Sequence, residues 1–234
     1  MTTREAAIES LRIDSPVTLR ELALNRIRDA IVAGTFEQGT RLVERSLCDQ
    51  LGVSRSVIRE VIRHLETEGL LEMSRAGPIV ARLDWKDARQ IYDIRSLLES
   101  AAVADCALTA DDATKKRLAA ILDELDRGAA RQDSPAMLNA TIEFYAVIFT
   151  SSGHDVAWEI VSRLNSRISR LRVMTLATAN RTVSGPARMR KIFNAIKRND
   201  PEAAAAACRQ HIAEAAKIAE SILATATAST ASNR

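Results

Sequence analysis

Aromatic side chains make up only 3% of the 234 residues. Strands favour aromatic and β-branched residues, so this scarcity argues against a sheet-built core. Cysteine is equally sparse. Cys48, Cys106 and Cys208 are odd in number, far apart and without a Cys-x-x-Cys pair. That excludes a disulfide framework and a thiolate zinc site, and it suits a reducing compartment. No apolar run approaches the ~18 residues of a membrane span. The opening Met1-Thr2-Thr3-Arg4-Glu5 lacks the apolar core of a secretion signal. A soluble, cytoplasmic protein without membrane contact is therefore expected. Catalytic signatures are missing too. There is no Gly-x-Ser-x-Gly, His-Glu-x-x-His or phosphate loop, and no Glu-x-x-His pair for a di-iron bundle. With only three histidines, the material for an enzyme is thin. Nor does one sign of charge dominate. The net charge is +3, and residues 1–83 carry twelve Arg, no Lys and twelve acids. Any nucleic-acid site must then be a local patch rather than a basic domain.

What is present is helical. Hydrophobic residues reach 47%, and Ala and Leu, both strong helix formers, dominate them. Residues 1–15 read as a polar arm ending at Ser15-Pro16. A helix is expected from Leu19 to about Ala33, with Leu19, Ala23, Ile27 and Ile31 on one side, stopped by Gly34. A short second helix over Glu44–Leu51 ends at Gly52. Ser54 can cap a third helix from Arg55 to Glu68. Leu70–Met73 and Ile79–Ala81 then read as strands of a hairpin whose polar tip runs from Ser74 to Pro78. This defines an N-terminal unit over 16–83. Residues 84–224 read as amphipathic helices near 85–108, 110–131, 134–151, 154–179, 182–198 and 200–224. The small, polar residues 225–234 read as a disordered tail.

The third helix carries the chemistry. At 100° per residue from Arg55, the residues Ile58, Val61, Ile62 and Leu65 occupy an arc of roughly 240° to 340°. Arg55, Arg59 and Arg63 fall between zero and roughly 80°, with Ser56 near 100°. One face is built to pack, and the next presents guanidinium groups one turn apart. A DNA recognition helix needs this arrangement, because it must dock on its own domain while its N-terminal residues enter the major groove. The planar arginine fork matches guanine O6 and N7 or phosphate oxygens. Ser54 and Ser56 can add phosphate or base contacts. Arg75 at the hairpin tip can reach the minor groove or flanking phosphate, and Gly77 lets backbone approach closely. A plainer reading makes the arginines a solvated face paired with Glu60, Glu66 and Glu68. The order helix, helix, turn, Arg-bearing helix, hairpin within ~65 residues favours the first reading.

The run from Gly39 to Leu71 resembles the DNA-binding domain of GntR-family regulators, and residues 18–83 fit the pattern. The resemblance implies DNA contacts at Arg45, Arg55, Arg59 and the wing from Arg75 to Gly77. It departs at Gln38 and Val57, where the family commonly has proline. Residues 84–220 are similar to the helical effector domain called FCD, through Ile94–Ala101, Ser151–His154 and Asp200–Ala204 onward to His211-Ile212. The fold implied is mostly α: a winged helix-turn-helix (three helices and a β-hairpin) followed by an all-α bundle.

Many members of that branch hold a divalent metal with one Asp and three His. The matching positions here are Thr141, Tyr145, Met189 and His211, of which only the last is a usual ligand. The metal site is accordingly expected to be lost, with no cofactor. A ligand cavity can outlast the metal, lined by Thr141, Tyr145, Met189 and His211. Arg95, which matches a frequent arginine of the family, would meet a ligand carboxylate there. Asn165 is a further candidate, with Arg167 and Arg172 behind it. Against this, His211 can be an ordinary buried or surface histidine, and Arg95 can pair with Glu99 at i+4 on the helix surface. His64 and His154 read as surface residues. The functional expectation is a homodimeric repressor of a double-stranded DNA operator, tuned by a small effector such as an organic acid. The alternative is a DNA-binding dimer whose helical domain no longer senses a ligand.

Overall fold

The computed structural model describes residues 18–176 and 185–231. The N-terminal arm and part of the region read as the 154–179 and 182–198 helices lie outside the described residues. Helix α1 (Leu19–Val32) begins at a reciprocal cap: Thr18 Oγ1 accepts from Glu21 N–H, and the Glu21 carboxylate accepts from Thr18 N–H. This satisfies two of the donors that a helix start leaves open. Its buried face is Ala23, Leu24, Ile27, Ile31 and Val32. Leu19 is 64% exposed, so the apolar stripe starts one turn later than the periodicity implies. Helix α2 (Glu44–Leu51) stops at Gly52, which adopts φ 65° and donates its N–H to Cys48 O. A residue with a Cβ resists that left-handed conformation. Helix α3 (Arg55–Thr67) follows three residues after α2 closes, across Gly52, Val53 and Ser54.

Strands β1 (Leu71–Ser74) and β2 (Gly77–Val80) pair antiparallel, Leu71 opposite Val80 and Ser74 opposite Gly77. Only Arg75 and Ala76 remain at the tip, tighter than the five-residue tip expected. The Ser74 hydroxyl closes the turn, donating to Gly77 O at 2.7 Å and accepting from Ala76 N–H at 3.1 Å. Arg41 adds a bridge to Ile79, and Leu42 N–H donates to Pro78 O. The core of this unit is built from side chains such as Leu47, Ile58, Val61, Leu65, Leu70 and Val80, all nearly inaccessible.

Beyond residue 83 the chain is helical: α4 (Trp85–Thr109), α5 (Asp112–Ala130), α6 (Ser134–Ser151), α7 (Asp155–Arg163), α8 (Asn165–Leu176), α9 (Gly185–Lys197) and α10 (Pro201–Ala231). Aspartates cap several starts, Asp84, Asp111 and Asp133 each accepting from a backbone N–H three residues on. The longest helices, α4 and α10, pack along each other, α6 packs on α4 and α5, and α9 lies against α4, α5 and α10. Two expectations are corrected. The single helix expected from 154 breaks at Leu164, and Asn165 and Ser166, which compete for backbone hydrogen bonds, open the next one. The tail expected to be disordered from 225 is helical as far as Ala231. After Pro201 the chain has no Gly or Pro, and alanine recurs through to position 231, so local propensity carries the helix on. No helix among the described residues is long and apolar enough to cross a membrane.

Candidate nucleic-acid interface and buried arginine cluster

In α3, Ile58, Val61, Ile62 and Leu65 are buried, so the apolar arc packs as the wheel predicts. Ser54 occupies the N-cap, its Oγ accepting from Val57 N–H at 3.4 Å and lying 2.8 Å from Ser56 Oγ. Val57, where the family commonly has proline, thus brings an N–H that the cap satisfies. The other departure has a use as well: Gln38 Oε1 accepts from Leu83 N–H at 3.3 Å and fastens the start of the interdomain linker.

Arg45, Arg55, Arg59, Arg63 and Arg75 are all exposed. Arg59 Nε donates to Glu44 Oε2 at 3.1 Å, which holds the second turn of α3 to the first turn of α2. Two of the three glutamates named in the plainer reading pair elsewhere: Glu60 with Arg20, and Glu68 with Arg28 and His64. A domain neutral in sum therefore pairs Glu60 and Glu68 with Arg20 and Arg28 on α1, away from the exposed arginines of α3. Gly77 takes φ 112°. A Cβ there would stand 3.7 Å from Arg41 Nε, so an exposed guanidinium that the sequence reading did not single out lies beside the wing. Its only signal in sequence was its place between Gly39 and α2.

In the helical domain, Thr141, Tyr145, Met189 and His211 are buried. Thr141 Oγ1 donates to Met137 O at 2.8 Å and lies 3.9 Å from Met189 Sδ. Tyr145 Oη lies 3.9 Å from Cys208 Sγ, one turn before His211 on α10. Arg95 is not on a helix surface. It and Glu99 are 1% and 0% exposed, joined at 2.8 Å, because α10 covers that side of α4. Arg172, ranked behind other candidates in sequence, reaches Glu99 at 3.7 Å and stacks over the Tyr145 ring at 5.4 Å. Arg95 lies 5.4 Å over the Tyr92 ring. Two guanidinium groups thus share one buried carboxylate, and Arg95 Nη1 has no hydrogen-bond partner among the described residues.

Burial pushes the Arg95 pKa down, but the Glu99 charge and hydrogen bond outweigh it and carry it above the ordinary value. Burial and the neighbouring Arg95 lower Arg172 to about 10, so both stay charged at neutral pH. Tyr145 and Cys208 are pushed up, chiefly by burial, and remain protonated. Asn165 is not part of this set. As the first residue of α8 it lines a cleft between the two domains.

These residues do not fit a divalent metal. A hydroxyl already donating to a carbonyl, a protonated phenol and a thioether are poor donors, and the Arg172 guanidinium beside Tyr145 repels a cation. Among the described residues no group of three or more His, Cys, Asp or Glu side chains comes together.

A winged helix-turn-helix with an arginine-bearing recognition helix, joined to a helical bundle, defines a DNA-binding regulator. The comparisons narrow the class. Residues 19–80 match the model of the bacterial regulatory proteins of the gntR family, and residues 90–214 match the FCD domain. The chain belongs to the GntR family of transcriptional regulators, in the branch with an FCD domain, and its relatives are regulators rather than enzymes. It is 28% identical over 210 residues to the uncharacterized HTH-type transcriptional regulator YdhC of Bacillus subtilis, spanning 88% of this chain and 91% of that one. It is 24% identical to the HTH-type transcriptional repressor RspR of Escherichia coli, over 84% of this chain and 85% of the other. Among solved structures, McbR/YncC of E. coli superposes with a TM-score of 0.72 at 22% identity, covering 91% of this chain and all of that one. A GntR regulator from Rhodococcus gives 0.72 at 25%, covering 86% and 96%.

Proposed function

We propose that this regulator is a cytoplasmic, homodimeric repressor that binds a double-stranded operator through Arg45, Ser54, Arg55, Ser56, Arg59 and the wing at Arg75–Gly77. A small anionic effector, a carboxylate in the simplest case, binds in the helical domain without metal. Relatives that carry the name repressor include RspR and the gluconate operon repressor of B. subtilis; the latter is 29% identical over 55% of this chain and 53% of its own length. Two-fold symmetry suits a single recognition helix per chain, because paired half-sites then double the contact.

One observation supports the effector most: Arg95 Nη1 is buried without a hydrogen-bond partner among the described residues, beside a Glu99 carboxylate that Arg95 shares with Arg172. A buried charge is costly without a partner. An anion beside Arg95 Nη1 would accept the bond that the protein leaves unmade, and the Tyr145 phenol beside the two guanidinium groups would help to orient the rest of the molecule. The poor metal donor set also favours a second reading, in which the bundle only dimerises and water meets Arg95.

Thermal-shift screening of chelator-treated protein against small carboxylates separates the two, since a ligand of the folded state raises the melting temperature by mass action. Stabilisation by a carboxylate without metal supports the sensor, stabilisation by zinc or nickel alone refutes the metal-free site, and no shift from any carboxylate leaves the dimeriser.

A further inference from the structure

The recognition helix ends at a residue outside both the DNA surface and the arginine cluster. Glu68 is the C-cap of α3. Its carboxylate accepts two hydrogen bonds from Arg28 on α1, at 2.9 and 2.5 Å, and one from Ser166 on α8 at 2.5 Å. His64 Nε2 lies 3.2 Å away. The Glu68 side chain is 15% exposed, and Ser166 is 8% exposed. Charge-assisted bonds of this kind are short and geometrically strict, and breaking one leaves a partly desolvated charge short of a donor.

Helix α8 grips the DNA-binding domain at two further points. Arg170 Nη1 donates to Ala81 O, at the start of the linker, at 2.7 Å. Arg167, held by Asp87 of α4 at 3.3 Å within the helical domain, crosses the turn at Gly69 of the DNA-binding domain, where a Cβ would stand 3.2 Å from its Cδ. Six residues after Ser166, about 9 Å along the axis, the same helix inserts Arg172 between Glu99 and Tyr145. Beside these contacts, where α1 packs directly on α8, an open cleft of about 670 Å³ is lined by α1 and α3 on one side and by α6, α7 and α8 on the other. The domains therefore meet along α8, through its packing on α1 and a few directional bonds, with the cleft leaving the rest of the boundary open, which permits relative motion.

We propose that Glu68 is a positioning residue through which α8 sets the placement of the recognition helix, with α8 transmitting the state of the arginine cluster. This rests on the reading of the helical domain as regulatory. A helix moves as a rigid rod, so a shift of about 1 Å at Arg172 reaches Ser166 undiminished and is enough to break its bond to Glu68.

The test uses the full chain and a duplex selected from a random pool by the wild-type protein. Ser166→Ala removes the bond from α8 and leaves the Arg28–Glu68 pair. It is expected to weaken DNA binding about tenfold, to keep the melting temperature within about 4 °C, and to speed amide exchange over residues 66–70 and 81–84. Affinity within twofold of wild type, or tighter binding, overturns the proposal. Arg172→Met, or Arg172→Lys if that variant does not fold, is expected to raise exchange over the same residues 66–70. A change confined to the helical domain refutes the relay. Arg59→Ala separates this idea from the reading beneath it. If it loses binding while Ser166→Ala keeps it, Glu68 has no positioning role and the DNA surface stands. If Arg59→Ala binds as wild type, the DNA surface is misassigned, and exchange at 66–70 alone decides for or against Glu68.

Discussion

The arginines of the recognition helix stand in solvent, with Arg59 61% exposed, whereas Arg95, Arg170, Arg172 and Arg188 of the helical domain are each below 10%. The contrast extends to every polar type. Among the described residues all buried polar or charged side chains lie between Arg95 and His211, and none lies in the DNA-binding domain. The first domain uses an apolar core as a frame and does its work on the outside, where a phosphate or base edge can replace Glu44 as the partner of Arg59. The second keeps its charge inside, where a low dielectric makes each interaction strong and each missing partner expensive. Equivalent substitutions should then act oppositely: on stability in the bundle, on DNA affinity in the winged domain.

The largest effect is expected at Glu99. Glu99→Ala leaves two buried guanidinium groups without their carboxylate and should cost about 3–5 kcal/mol, lowering the melting temperature by roughly 10 °C for a chain of this size. Chemical denaturation measures it. A loss below about 1 kcal/mol would mean that water reaches the cluster and that the inside–outside contrast is weaker than drawn. Next comes the outside case. Arg59→Ala should weaken operator binding by about 1–3 kcal/mol, roughly ten- to a hundredfold, while leaving the denaturation midpoint in place. A destabilised Arg59→Ala protein would show that the Glu44 pair carries structure, and the contrast would fail at that position.

The same division explains what the sequence made legible. The arc of Ile58, Val61, Ile62 and Leu65 could be read from spacing alone, because a surface helix must segregate apolar from charged residues. Ser54, Gly52 and the Arg75 tip followed from local chemistry of caps and turns. Arg95 and Glu99 have the same i, i+4 spacing as any surface pair, and only the packing of α10 along α4 makes them internal. Arg172 carries even less signal, since its importance comes from where α8 crosses the bundle, and the break at Leu164 that creates α8 has no Gly or Pro to mark it. Asn165 was misplaced for the same reason: with the break it opens a helix at the interdomain cleft. Nothing local pointed to the part Glu68 plays between the domains, because its partners Arg28 and Ser166 lie 40 and 98 residues away.

Glu68 sharpens the comparison at the boundary between the domains. Burial raises its carboxyl pKa, but hydrogen bonds from Arg28 and Ser166 and the charges of Arg28 and His64 hold it below the ordinary value. A depressed value in the folded state contributes stability that is present above the unfolded glutamate pKa and is lost as pH falls through the folded one. Wild type should therefore be more stable than Glu68→Gln at pH 7, and the gap should close as pH falls below about 4. A gap that persists to pH 3 would assign the effect of the substitution to packing rather than to the ionised carboxylate.

The smallest effect is expected at the wing. Arg75 is exposed at a two-residue tip, and neither strand depends on it for packing. Removing it takes away one cation that can neutralise a phosphate, and no base-reading fork. Arg75→Ala should weaken binding a few-fold and almost equally for operator and unrelated duplex, and it should reduce the slope of log K against log salt by about one. Arg41, beside Gly77, should add a second unit if it faces the same phosphates, so the double variant lowers the slope by about two. If Arg75→Ala instead lowers operator affinity alone, the tip reads base edges in the minor groove, and specificity in this domain is shared between the wing and α3.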